Sequence, residues 1–84
     1  MNFYVLHYAM IDEDGRLSIN CQGPFKTLEE AKKRQATVIS NFLIVHHSLS
    51  NELLEEKCGT FHRIAFKDNL NELQIHIEAF ERLI

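Results

Sequence analysis

The hydrophobic pattern of this chain changes period along its length. From Asn2 to Ile11, apolar residues occupy both phases of a two-residue repeat. Phe3, Val5, Ala9 and Ile11 share one side, and Tyr4, Leu6, Tyr8 and Met10 share the other. That pattern, rich in β-formers, predicts a central strand covered on both sides. Arg16 to Gln22 alternates strictly, which predicts a half-buried strand nearer an edge. Leu17, Ile19 and Cys21 are its expected inward set, and Ser18, Asn20 and Gln22 its outward set. Asp12-Glu13-Asp14-Gly15 supplies the turn between the two strands, and Gly23-Pro24 ends the second.

The period then becomes helical. Leu28, Ala31, Gln35, Val38, Ile39, Phe42, Val45, His46 and Leu49 fall on one broad face at 3.6 residues per turn. Thr27 and Glu30 have the spacing of a capping box, in which the hydroxyl and carboxylate satisfy each other's free amides. Glu29–Lys33 and Glu30–Arg34 are i,i+4 pairs on the wet side. Carried through Leu53 and Leu54 to Lys57, with Gly59 as its C-terminal stop, this helix would run about 45 Å at ~1.5 Å per residue. A domain of this size is roughly 24 Å across, so the pattern predicts a break near Ser48 to Asn51.

Thr60 to Phe66 predicts a third strand. Asn69 and Glu72 repeat the capping spacing, and Leu70, Leu73, Ile77, Phe80 and Ile84 make a helical stripe behind them. The expected architecture is a single α+β domain over residues 1–84, in the order ββα(α)βα. A two- to three-stranded, mostly antiparallel sheet would be covered by two principal helices.

Composition narrows the functional classes. The 84 residues carry 45% hydrophobic residues and three Gly, consistent with a folded chain of short connections. Net charge is −3 with neutral His, and the five His would carry it to +2 if all were protonated. Nothing in that balance draws the chain to nucleic acid or a membrane surface. Cys21 and Cys58 are the two thiols, without a C-x-x-C. With no secretory leader pattern and no long apolar span, they predict a reducing cytoplasm.

Candidate chemistry is sparse. Asp12 to Gly15 invites a calcium loop, but the bidentate Glu would fall at Cys21. Lys26, Lys32, Lys33 and Arg34 form a basic run that Glu29 and Glu30 largely offset. His46 and His47 point about 100° apart on a helix and do not chelate together. Cys58 and His62, at C-x3-H spacing beside Lys57, are the only nucleophile–base or ligand pair in view. No dinucleotide, phosphate-loop or zinc spacing stands out, so neither catalysis nor a cofactor or metal is expected.

Apolar residues without an internal place remain: Ile44 opposite the helix stripe, Ile75 off the last stripe, and either Phe61 or the Ile64/Phe66 pair, whichever faces away from the buried side of the third strand; Phe61 is taken for the surface. Ile44, His47, Phe61 and Ile75 form the candidate interaction surface. The expected function is non-catalytic protein–protein interaction by a small adaptor, inhibitor or regulatory subunit, of a size that phage and mobile elements encode. The partner would be another protein or a second copy. One alternative is a metal- or redox-responsive protein using Cys58 and His62. Another is a homodimer holding a small ligand in its inter-subunit cleft.

Overall fold

The computed structural model describes residues 2–46 and 53–81. Strand β1 (Asn2–Ile11) turns into β2 (Leu17–Phe25), and helix α1 (Leu28–His46) follows. Strands β3 (Leu53–Cys58), β4 (Phe61–Phe66) and β5 (Glu72–Glu81) complete the order. All pairings are antiparallel, and the five strands form one sheet in the order β2-β1-β5-β4-β3.

The opening ββα elements form as predicted, except that β2 does not end at Gly23-Pro24 but runs through them to Phe25, which pairs with Tyr4. The Asp12 carboxylate accepts the amides of Asp14 and Arg16, each at 2.9 Å, and Gly15 takes the positive φ of +82° that closes the turn. The Thr27 hydroxyl accepts the Glu30 amide at 3.2 Å, so α1 starts at its predicted cap. Ala31 and Phe42 are buried on its predicted stripe. Leu28, Val38 and Ile39 pack beside them, together with Leu43, whereas Val45 is 67% exposed. The expected break at Ser48 to Asn51 lies outside the described residues.

The second half departs from expectation in two places. Leu53 to Lys57 is a strand, not a helical continuation. Gly59 is the first residue of a two-residue hairpin turn with φ +58°, not a helix stop. Glu72 to Glu81 is likewise a strand instead of the second principal helix. Asn69 closes a side-chain turn, its Oδ1 accepting the amide and the Nδ2 of Asn71 at 3.0 Å each. A ββα(α)βα fold with two helices is therefore replaced by ββαβββ: a five-stranded antiparallel sheet under one helix. The physical reason is pairing. β5 bonds along its whole length to β1 and also to β4, so it fills the middle of the sheet. Leu73, Ile75 and Ile77 then bury every second side chain.

Among the described residues, one helix covers one face of the sheet and none covers the other. Leu6, Ile64, Phe66, Leu73, Ile75 and Ile77 meet Ala31 and Phe42 on the covered face. The Phe42 and Phe66 rings stack at 5.9 Å. Gln35 donates to the Thr60 carbonyl at 2.8 Å, which ties α1 to the β3–β4 turn.

The covered side is opposite to the one the β2 pattern predicts. Leu6 pairs with Gln22, Tyr8 with Asn20 and Met10 with Ser18, so the polar set of β2 shares the helix side. Asn20 and Gln22 line a cleft of about 360 Å³ with Arg34 and Asn41 of α1. Gln22 donates to the Tyr8 hydroxyl at 3.0 Å. Leu17, Ile19 and Cys21 stand on the uncovered face, where Leu17 is 61% and Ile19 75% exposed.

Candidate metal centre on the uncovered sheet face

The uncovered face carries most of the chemistry. Along β5, the central strand, it presents Glu72, Gln74, His76, Glu78 and Phe80. β1 contributes Phe3, Val5, His7, Ala9 and Ile11 from the neighbouring position. His7 and His76 are direct partners in the ladder, and Glu78 is two residues beyond His76 on the same face. The two imidazoles stack at 5.1 Å with 18° between their planes.

His7, His76 and Glu78 each offer a ligand atom, all within 4.8 Å of one another. His7 Nε2 lies 3.0 Å from Glu78 Oε2. The contact is close yet out of line for a hydrogen bond, and this nitrogen is shut off from solvent without a hydrogen-bond partner. Buried polar atoms are ordinarily satisfied. The pair stands at ion-pair distance, and with His76 it forms a group that could hold a cation.

Distances support that fit. Ligand atoms about 2.1 Å from a common ion stand roughly 3.0 Å apart at right angles and roughly 3.4 Å apart at the tetrahedral angle. The His7–Glu78 separation of 3.0 Å matches the right-angled edge. The remaining ligand atoms lie within 4.8 Å of one another. A shallow depression of about 220 Å³ lies beside the pair, lined by His7, Ala9, Ile19, Phe61, Gln74 and His76.

A second polar group occupies the same face. Arg63 on β4 donates to Glu56 at 3.0 Å and to Glu72 at 2.9 Å, linking β3, β4 and β5. Gln74 donates to the other Glu72 oxygen at 2.6 Å. The Arg63 guanidinium holds the Glu72 carboxyl below its ordinary range against a smaller opposing effect of burial, with Gln74 assisting. This network fixes the strand beside His76 and keeps Gln74 extended toward Glu72.

The sequence-based candidates separate. Cys58 pairs with Phe61 on the uncovered face, whereas His62 pairs with Lys57 on the helix side, so Cys58 and His62 do not converge. His62 Nε2 instead contacts Glu55 at 2.6 Å, the main reason the Glu55 carboxyl is lowered. Cys58 and Cys21 are free and exposed. Of the candidate surface residues, Ile44 is 69% exposed and Phe61 is half-buried on the uncovered face. Ile75 is fully buried under the helix and is removed from that surface; His47 lies outside the described residues.

His7, His76 and Glu78 are absent from the sequence-based set because residues 72–81 were read as helical. On a helix, His76 and Glu78 point about 200° apart; on a strand they share a face. The available signal is the alternation Leu73, Ile75, Ile77 with His76 and Glu78 in the opposite phase.

Among the described residues, no helix is long and apolar enough to cross a membrane. No family model matches the chain, and no curated protein or solved structure matches it either.

Proposed function

We propose that this domain binds a divalent first-row transition-metal ion through His7, His76 and Glu78. The carrying observation is the cluster itself: His7, His76 and Glu78 each offer a ligand atom, all within 4.8 Å of one another on one face of the sheet. Imidazole and carboxylate donors together suit zinc, iron, cobalt or nickel better than calcium or magnesium. Three protein donors leave further positions on the ion open. The metal-responsive reading thereby moves from Cys58 and His62 to the centre of the sheet.

Calorimetric titration of tag-free, metal-stripped protein with Zn²⁺ and Ni²⁺ tests this. Saturable binding is the expected result. It should be lost in His7→Ala, His76→Ala and Glu78→Gln, each of which keeps the circular dichroism of the wild type. A wild type that binds no ion, or variants that bind as well as the wild type, would overturn the proposal.

A further inference from the structure

We infer that the uncovered sheet face closes on a second copy of this chain, and that the ion held by His7, His76 and Glu78 is shared between the two copies. This rests on the metal reading above and extends it to a partner.

The first argument is coordination. Three donors fill half of an octahedron, and His7, His76 and Glu78 all stand on one face of the sheet. A second copy related by a two-fold axis brings the same three donors to the other half. Closed pairs of identical chains present the same patch to each other, so a site on the axis is completed by itself.

The second argument is position. β5 is the middle strand of the sheet, and His76 lies midway along it. His7 is the partner of His76 on the adjacent strand. Whatever packs centrally on this face therefore sits on the cluster. Stacked sheets lie about 10 Å apart, which leaves roughly 5 Å on each side. An imidazole standing off a strand reaches into that space.

The third argument is the composition and extent of the face. Its middle strand carries Glu72, Gln74, His76 and Glu78, with Phe80 toward its end. Its flanks carry Leu17, Ile19 and Ile11 on one side, and Leu54 and Phe61 beside the Arg63–Glu56 pair on the other. Leu17, Ile19 and Leu54 are 61%, 75% and 49% exposed. A two-fold axis across β5 sets each flank against the same flank of the second copy. Five strands at about 4.8 Å spacing and about 3.3 Å per residue give a face on the order of 500–800 Å². A standard interface buries about 800 Å² per partner, so the face approaches the required size and the ion supplies the remaining affinity.

Sedimentation velocity and calorimetry on the same metal-stripped protein, with and without Zn²⁺, distinguish the outcomes. The expected result is a monomer in chelator and a dimer on addition of Zn²⁺, saturating at one ion per two chains. Leu17→Lys combined with Leu54→Lys places charge on both flanks and away from the donors. That variant should remain folded, still bind Zn²⁺, and dimerise at least tenfold more weakly. Wild-type protein that binds Zn²⁺ while remaining a monomer would overturn the shared site and leave the metal reading intact. A dimer that forms equally in chelator, or that the flank charges leave unaffected, would also overturn it. Protein that binds no Zn²⁺ removes both.

Discussion

His7 and His76 face each other across the β1–β5 ladder, with their rings 5.1 Å apart and 18° from parallel. Neither residue is close to the other in sequence. The pairing exists because β5 returns through the middle of the sheet to lie antiparallel to β1. Ladder register thus converts two isolated histidines into a pair. The i,i+2 relation on β5 then adds the Glu78 carboxylate on the same face.

A bound ion stabilises the folded state by mass action if it binds the unfolded chain more weakly. At a free Zn²⁺ concentration one hundred times the Kd, the gain is about 2.7 kcal/mol. For a domain of this size, the melting temperature should rise by roughly 10–20 °C. Chelator should reverse the shift, and His76→Ala should abolish it. A scanning calorimetry trace that is the same with and without Zn²⁺ would count against the site.

Acid should weaken the fold through Glu72. Its carboxyl is held below the ordinary value by Arg63, so the folded state binds that proton less readily than the unfolded chain. The resulting stability is fully present above the unfolded pKa, near the ordinary 4.5, and is lost as pH falls through the depressed folded value. Urea midpoints of wild type and Glu72→Gln between pH 7 and pH 2 check this. The wild type should lose more stability over the acid limb than the variant, and parallel curves would exclude the Arg63 pair as a contributor.

The first half of the fold was legible because its signals are local. Thr27 names its cap, Asp12 and Gly15 name their turn, and the stripe through Ala31 and Phe42 names the helix face. The second half was ambiguous because Leu73 and Ile77 satisfy both a helical and a strand period. Leu53, Leu54, Glu55, Glu56 and Lys57 also favour helices intrinsically. Pairing with β4 and β1 overrides that preference, and sequence reading has no access to such long-range pairing. Ile75 was the discriminating residue: it had no place on a helical stripe and has a fully buried place on a strand. The metal site followed the same fate, since its ligands converge only once β5 is a strand. Likewise, alternation along β2 separated two faces correctly, but a single helix decided which one it covers.

Thr27→Ala should destabilise the domain by about 0.5–2 kcal/mol, since it removes the acceptor of the Glu30 amide. The urea midpoint should fall while the slope stays unchanged, because the surface exposed on unfolding is the same. Thr27→Asp should restore most of the loss, as aspartate caps equally well and complements the helix dipole. An alanine variant with the wild-type midpoint would mean that this cap contributes nothing.

Ile75 and Ile19 test which side of the sheet the helix covers. Ile75 is fully buried among Leu6, Leu73 and Ile77 below α1, whereas Ile19 is 75% exposed on the opposite face. Truncating a buried isoleucine removes its transfer free energy and leaves a cavity that a tightly packed core fills only in part. Ile75→Ala should therefore cost about 2–5 kcal/mol in urea unfolding. Ile19→Ala, measured in metal-free protein, should stay within about 0.5 kcal/mol of wild type, as surface substitutions usually do. The contrast is informative because the alternation of Leu17, Ile19 and Cys21 reads as a core-facing pattern. If Ile19→Ala costs as much as Ile75→Ala in the monomer, the β2 register is shifted by one residue and its apolar set faces the helix. If Ile75→Ala is nearly neutral, residues 72–81 do not form the central strand, and the pairing of His7 with His76 falls with it.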